Sequence, residues 1–305
     1  MWHNWSRTKR WLTSLAAVLA LIALAITGTL YHFLRVPRLP LPAGVSRCSL
    51  KLPLTGKPVS VDLYLPPSAG PAPVVVIAHG FSRNRKTMAG WGSMLAREGF
   101  LAVVPDLPAW ADHTRNGRAL AELLSHMQAG KLISQPQPSG RTALVGFSAG
   151  GFSSLLAAAA NTNVTCWVGL DPVAMGQAAT RAAESLGIPC FVLRAEPAPW
   201  NANGIARQTF AALPGPAFSL AVKSATHVDA ENPTSRAADW ACGKSDPTRR
   251  EVFGRYLLAS LQAGLLRDAA AFQQLSMATN DAAVREVIFR RPERFPSAAA
   301  EREHP

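Results

Sequence analysis

Residues 141–160 read RTALVGFSAGGFSSLLAAAA, and their order decides the fold. Arg141 to Gly146 is a short apolar run of the kind that forms a buried strand. Gly151 to Ala160 is rich in small residues and suits a helix. Between them, Ser148 stands in a G-x-S-x-G frame. Strand, turn and helix around such a serine are the context of a nucleophile elbow. The turn is too sharp to carry side chains on its flanks. Gly146 and Gly150 meet that need, while Ala149 and Gly151 let the helix start close to the sheet.

Outward from this stretch, strand-like and helix-like runs alternate. Strands are predicted at 59–65, 73–78, 100–105, 164–170, 189–193 and 218–222. Helices are predicted at 87–98, 118–128, 177–186, near 206–212 and at 251–266. Buried apolar strands alternating with helices imply an α/β domain with a mostly parallel, doubly wound sheet. The predicted domain covers 45–290. Residues 291–305 (RPERFPSAAAEREHP) read as a flexible tail.

The chain has 305 residues, 48% of them hydrophobic, and a formal net charge of +12. Five bases (Arg7, Lys9, Arg10, Arg35, Arg38) and no acid lie in residues 1–38, which leaves +7 on the rest. Those bases are scattered and not interleaved with aromatics, so no nucleic-acid partner is expected. A basic surface near anionic lipid fits better. The four cysteines (Cys48, Cys166, Cys190, Cys242) form no C-x-x-C pair, which argues against zinc and redox sites. Their even number permits disulfides if the domain is exported. Cys166 and Cys190 sit in strand-like runs and read as small core residues. No metal-ligand cluster or phosphate-binding glycine signature occurs, so neither metal nor organic cofactor is implied.

Residues 1–10 are basic, and 11–34 form an uncharged run of 24 residues. That length suffices to cross a hydrocarbon core about 30 Å thick. Three bases precede the run and two follow it, which places the N-terminus in the cytoplasm. A cleaved signal peptide competes with a retained anchor. The Ala23-Leu-Ala25 triplet lies inside the apolar run, and no such site follows it, which favours the retained anchor. Residues 35–44 (RVPRLPLPAG) read as a stiff linker. The expected location is the cytoplasmic membrane, with the main domain on the periplasmic or extracellular side.

A serine hydroxyl needs a base, and the base needs an orienting acid. On an elbow of this kind the partners follow in the order Ser, Asp or Glu, His. Only His227 and His304 follow Ser148. His304 lies on the tail, whereas His227 follows the last predicted strand. The acids between Ser148 and His227 are Asp171, Glu184 and Glu196. Glu184 fits a helix surface. Asp171 and Glu196 both follow strands. The shorter Asp171, fixed by Pro172, is favoured, and Glu196 is the alternative acid, free otherwise to pair with Arg194. Oxyanion donors are expected from the backbone N–H groups of Ala149 and Phe81. His79 is read as ordering the turn before Phe81. Trp200 and Asn201, in the loop carrying Glu196, are expected as pocket walls, with Trp91 and Trp110 as weaker ones.

The strings AHGFSRN (78–84), GFSAGG (146–151), GLDPVA (169–174) and THVDAENP (226–233) together resemble the α/β-hydrolase superfamily. They are most similar to its dienelactone-hydrolase-like and chlorophyllase-like serine esterases. In the chlorophyllase-like branch the aspartate of the DPV string is the triad acid, which implies Asp171. Many polyester hydrolases place that acid one strand later, where this chain has no aspartate. True dienelactone hydrolases usually carry a cysteine nucleophile. The resemblance implies an α/β-hydrolase fold and a serine hydrolase acting on small-molecule or polymeric carboxylic esters without a cofactor. The same triad would serve an acyltransferase or thioesterase. A non-catalytic binding module on this fold is the remaining reading.

Overall fold

A computed structural model describes residues 3–130, 132, 136–291 and 295, with backbone only for 3–11 and 13–17. Helix α1 runs His3–Leu34, straight through the basic stretch predicted to end at residue 10. Among the described residues, no helix is long and apolar enough to cross a membrane. The expected span 11–34 is therefore not supported there. Part of it lies outside the described side chains, and the continuous stretch that remains, 18–34, is shorter than the about 20 residues a span needs.

The domain is built on nine strands: β1 (Ser46–Leu54), β2 (Lys57–Leu65), β3 (Ala72–Ala78), β4 (Leu101–Pro105), β5 (Pro138–Phe147), β6 (Cys166–Leu170), β7 (Cys190–Arg194), β8 (Ala217–Val222) and β9 (Val284–Arg290). Their order is β1-β2-β4-β3-β5-β6-β7-β8-β9. The six strands from β4 to β8 in that order are mutually parallel. Strands β1, β2 and β9 pair antiparallel at the two edges. The predicted mostly parallel α/β sheet is therefore present.

The central strands are buried on both faces, which is why they read as continuous apolar runs rather than alternating ones. One face is covered by α2 (Ala89–Arg97), α8 (Pro247–Leu265) and α9 (Ala269–Ser276), through Trp91, Leu95, Phe253, Leu257 and Leu261. The other is covered by α3 (His113–Gln128), α4 (Ala149–Ala159), α5 (Gly176–Glu184) and α6 (Ala206–Ala212), through Leu120, Leu123, Leu155 and Phe210. Helix α2 and helix α4, which follow the neighbouring strands β3 and β5, lie on opposite faces. The chain thus diverges between those strands, and a crevice opens at their carboxyl ends. Ser148 sits at that point.

Strand β9 does not alternate cleanly; it pairs with β8, its Val287 and Phe289 pack on the core, and ion pairs pin it. Arg194, buried at the end of β7, pairs with Glu286 and donates to Ser219 Oγ at 2.8 Å. Arg285 pairs with Glu196 at 2.5 Å. Of the predicted tail, 292–294 and 296–305 lie outside the described residues. Phe295 does not behave as tail: it is buried, with ring centroids 5.6 Å from Phe191 and 5.1 Å from Phe272. All four cysteines are free thiols. Cys166 and Cys190 are buried in β6 and β7, and burial pushes both thiols up.

Candidate active site

The elbow forms where the sequence puts it. Ser148 links β5 to α4 with φ 54° and ψ −123°, a backbone conformation that costs a non-glycine residue of order 1–3 kcal/mol. It is held there from both sides. Its N–H donates to Leu170 O at 3.1 Å, and its carbonyl accepts from Gly151 and Val173 N–H, both at 2.9 Å. The flanking glycines are required by space. A Cβ on Gly146 would collide with Ser154 Oγ and the Gly150 carbonyl, and one on Gly150 with the carbonyls of Ala78 and His79.

Three side chains meet at this edge. His227 Nε2 lies 2.9 Å from Ser148 Oγ, and His227 Nδ1 lies 2.6 Å from Asp171 Oδ2. All three residues are buried. Registers of Phe147 with Leu170 and of Leu170 with Leu193 bring the three strand ends level. Asp171 follows directly after β6 with φ 42°, so its carboxylate turns back over the sheet. Pro172 packs against Gly151 and Gly169.

Glu196 is not at this site. Its Oε1 accepts from Ser224 N–H at 3.1 Å and its Oε2 takes Arg285. Its longer side chain reaches the sheet edge and is neutralised there. Nor does it pair with Arg194, which is taken by Glu286.

Asn201 differs from its expected place. It is 1% exposed and turns into the protein rather than onto the rim. Its Nδ2 donates to Asp171 Oδ2 at 3.0 Å and to Glu196 O at 2.8 Å. Its Oδ1 accepts from Ala198 N–H at 2.8 Å and Gly204 N–H at 2.9 Å. A buried amide with this many partners fixes the loop against the acid, which is why the position is interior. Asp171 Oδ1 accepts from Ala195 N–H at 3.1 Å. Asn201→Ala is expected to lower kcat about tenfold with little change in KM, the scale of one hydrogen bond to a charged group. Steady-state ester kinetics check this.

Trp91 is also displaced from the expected pocket wall. It is buried under α2 and donates Nε1–H to Ala230 O at 2.8 Å, bracing the loop that carries His227. Trp200 is exposed on the rim. Trp110 does line a cavity of about 190 Å³, together with Gly80, Phe81, Leu107, His113 and Ala149. Its ring centroid lies 4.5 Å from that of Phe81. Both residues predicted to supply oxyanion donors, Phe81 and Ala149, thus border one cavity beside Ser148.

His79 orders the turn, as its sequence context implies. Its Nε2 accepts from Leu107 N–H at 2.9 Å, so Nδ1 carries the proton and donates to Gly80 O at 2.9 Å. Burial lowers its pKa, and the Gly80 contact only partly counters this. The unfolded chain therefore binds a proton that the native state refuses. The stability from His79 is present above its ordinary pKa of about 6.5 and is lost as pH falls below it. His79→Asn should flatten this acid-side dependence, read as Tm against pH from 7.5 to 5.

The loop carrying His227 has supports that the sequence reading missed. Asp229 is buried and accepts from Thr226 N–H at 2.7 Å, Asp246 N–H at 2.7 Å and Arg249 Nε at 2.6 Å. Thr226 and Asp229 form a capping box, a spacing legible in Thr226-His-Val-Asp229. Arg83, two residues past Phe81, pairs with the buried Glu231 at 2.5 Å and ties the Phe81 turn to the His227 loop. Burial raises the Glu231 carboxyl, and Arg83 opposes that rise.

Among the described residues, no group of three His, Cys, Asp or Glu side chains is placed to hold a metal ion. A search of curated proteins returned no match. A family model described as the Alpha/beta hydrolase family matches residues 75–302. Three-quarters of the chain lies in that match, including the elbow, Asp171 and His227. The fold is the one that family name describes, and the chain belongs to the alpha/beta hydrolase family.

Proposed function

We propose that this hydrolase is a serine esterase that cleaves carboxylic esters through an acyl-enzyme, exported and held at the cytoplasmic membrane by α1. The relay from Ser148 through His227 to Asp171, at 2.9 and 2.6 Å, carries the reading. Ser148 Oγ bonds to the acyl carbon as its proton passes to His227 Nε2. The ester C–O bond then breaks, and the imidazolium returns the proton to the departing alkoxide. Water repeats the sequence, releasing the acid and freeing Ser148. Asp171 holds the ring so that Nε2 faces the serine, and its charge offsets that of the imidazolium. Backbone N–H groups of Phe81 and Ala149 are assigned to the oxyanion.

Attachment is supported by the apolar surface of α1, where Leu19, Leu21, Leu24 and Ile26 are exposed with no protein cover. A fluorophosphonate probe tests the chemistry: it should add one adduct, on the peptide containing Ser148. A folded protein that stays unlabelled would refute it. Fractionation of the chain with and without residues 1–34 tests attachment. Full-length protein in the soluble cytosol would refute that part alone.

A further inference from the structure

Outside α1 and its linker, seven large apolar side chains are exposed among the described residues. Five of them (Phe81, Trp110, Met175, Trp200 and Trp240) lie beyond the carboxyl ends of the parallel strands, the edge that holds Ser148. Single exposed hydrophobics are ordinary, but a ring of them around one crevice is not. Trp110 and Trp240 are 71% and 81% exposed. Trp240 lies on α7 (Arg236–Cys242), next to the loop of His227. Phe33, near the end of α1, packs on Trp240 with ring centroids 6.4 Å apart. The apolar N-terminal helix therefore meets the domain at the same rim.

We infer that this rim rests on an anionic lipid surface and that the ester enters the site directly from the bilayer. Tryptophan suits the interface, because its ring is apolar and its N–H polar. Arg236, one turn before Trp240, and Lys244, just past the helix, are both exposed, and each would sit at the level of lipid phosphates. A rim in this position selects esters with long acyl chains, which partition into the membrane and need not cross water to reach Ser148. The inference rests on the anchored-esterase reading above and names its substrate class.

The full chain in phosphatidylcholine–phosphatidylglycerol vesicles provides the test. Brominated lipid should quench tryptophan emission, and Trp240→Phe should remove part of the quenched signal. The pair Trp240→Ser with Met175→Ser should leave turnover of dissolved p-nitrophenyl acetate within about twofold. The same pair should slow hydrolysis of a long-chain ester held in the vesicles about tenfold. Equal quenching in wild type and Trp240→Phe would overturn the inference, as would an undiminished vesicle rate in the double variant. A dimer whose Trp240 is insensitive to brominated lipid would put a second copy on the rim and overturn it as well. Quenching of Trp240 in a protein that cleaves neither ester would leave the lipid contact standing and remove the esterase reading.

Discussion

Asparagine in place of Asp171 should lower kcat/KM by about 10⁴-fold in a protein that still folds. The reason lies in the seating of the carboxylate. One oxygen accepts from Ala195 N–H, and the other accepts from Asn201 Nδ2 and faces His227 Nδ1. An amide has only one acceptor oxygen. If that oxygen takes Ala195 N–H, the NH₂ group faces His227 and forces the proton onto Nε2, where it blocks transfer from Ser148. If the amide turns round, a buried N–H of Ala195 meets another donor, at a cost of about 1–3 kcal/mol. Either arrangement disables the base or destabilises the loop. Glu196→Gln should stay within about threefold of wild type, since it weakens a partly exposed ion pair away from the serine. Kinetics with a p-nitrophenyl ester, alongside circular dichroism, separate the two. Comparable losses in both variants would reject Asp171 as the orienting acid.

Glycine in place of Ser148 should abolish turnover, a fall of about 10⁶-fold, yet raise unfolding stability by about 1 kcal/mol. The nucleophile is lost with the side chain. The stability gain comes from the backbone: φ 54° with ψ −123° is strained for serine but open to glycine. The extra freedom of an unfolded glycine offsets part of that gain, about 0.5–1 kcal/mol. Ser148→Ala keeps a Cβ, so it should lose the same activity with no such gain. Urea denaturation of the three proteins gives the comparison. A Ser148→Gly variant no more stable than Ser148→Ala would mean that the elbow stores no strain.

The parallel core and the elbow were legible because both leave marks in local sequence. A strand buried on two faces must be continuously apolar, and a sharp turn packed against its neighbours must be glycine. The order of Ser148, Asp171 and His227 likewise follows from which loops share one sheet edge. The edges were less legible. Strand β1 mixes lysine and proline with its apolar positions, and β9 (VREVIFR) alternates irregularly between half-buried and exposed, with no buried position. Such strands are held by pairing and by ion pairs such as Arg194–Glu286 rather than by a face of one polarity. Asn201 was placed on the right loop but on the wrong side of it. Which way a loop side chain turns depends on buried donors and acceptors from other strands, and spacing does not encode those. Thr226 and Asp229, by contrast, carried a capping signature in the open.

Strand β9 also sets an order of assembly. Residues 284–290 are synthesised after every other strand, yet they cover the outer edge of β8 and supply both Glu286 and Arg285. A nascent chain that has not reached them presents β8 as an open edge, ready to recruit another strand. It also lacks the Glu286 partner of Arg194 and the Arg285 partner of Glu196, which then keeps only its bonds to Ser224, Ala225 and Asn201. A product cut short before residue 284 would therefore be adhesive, the kind of chain that proteases clear. The last strand made thus seals the sheet against other chains, although it contributes no atom to the chemistry.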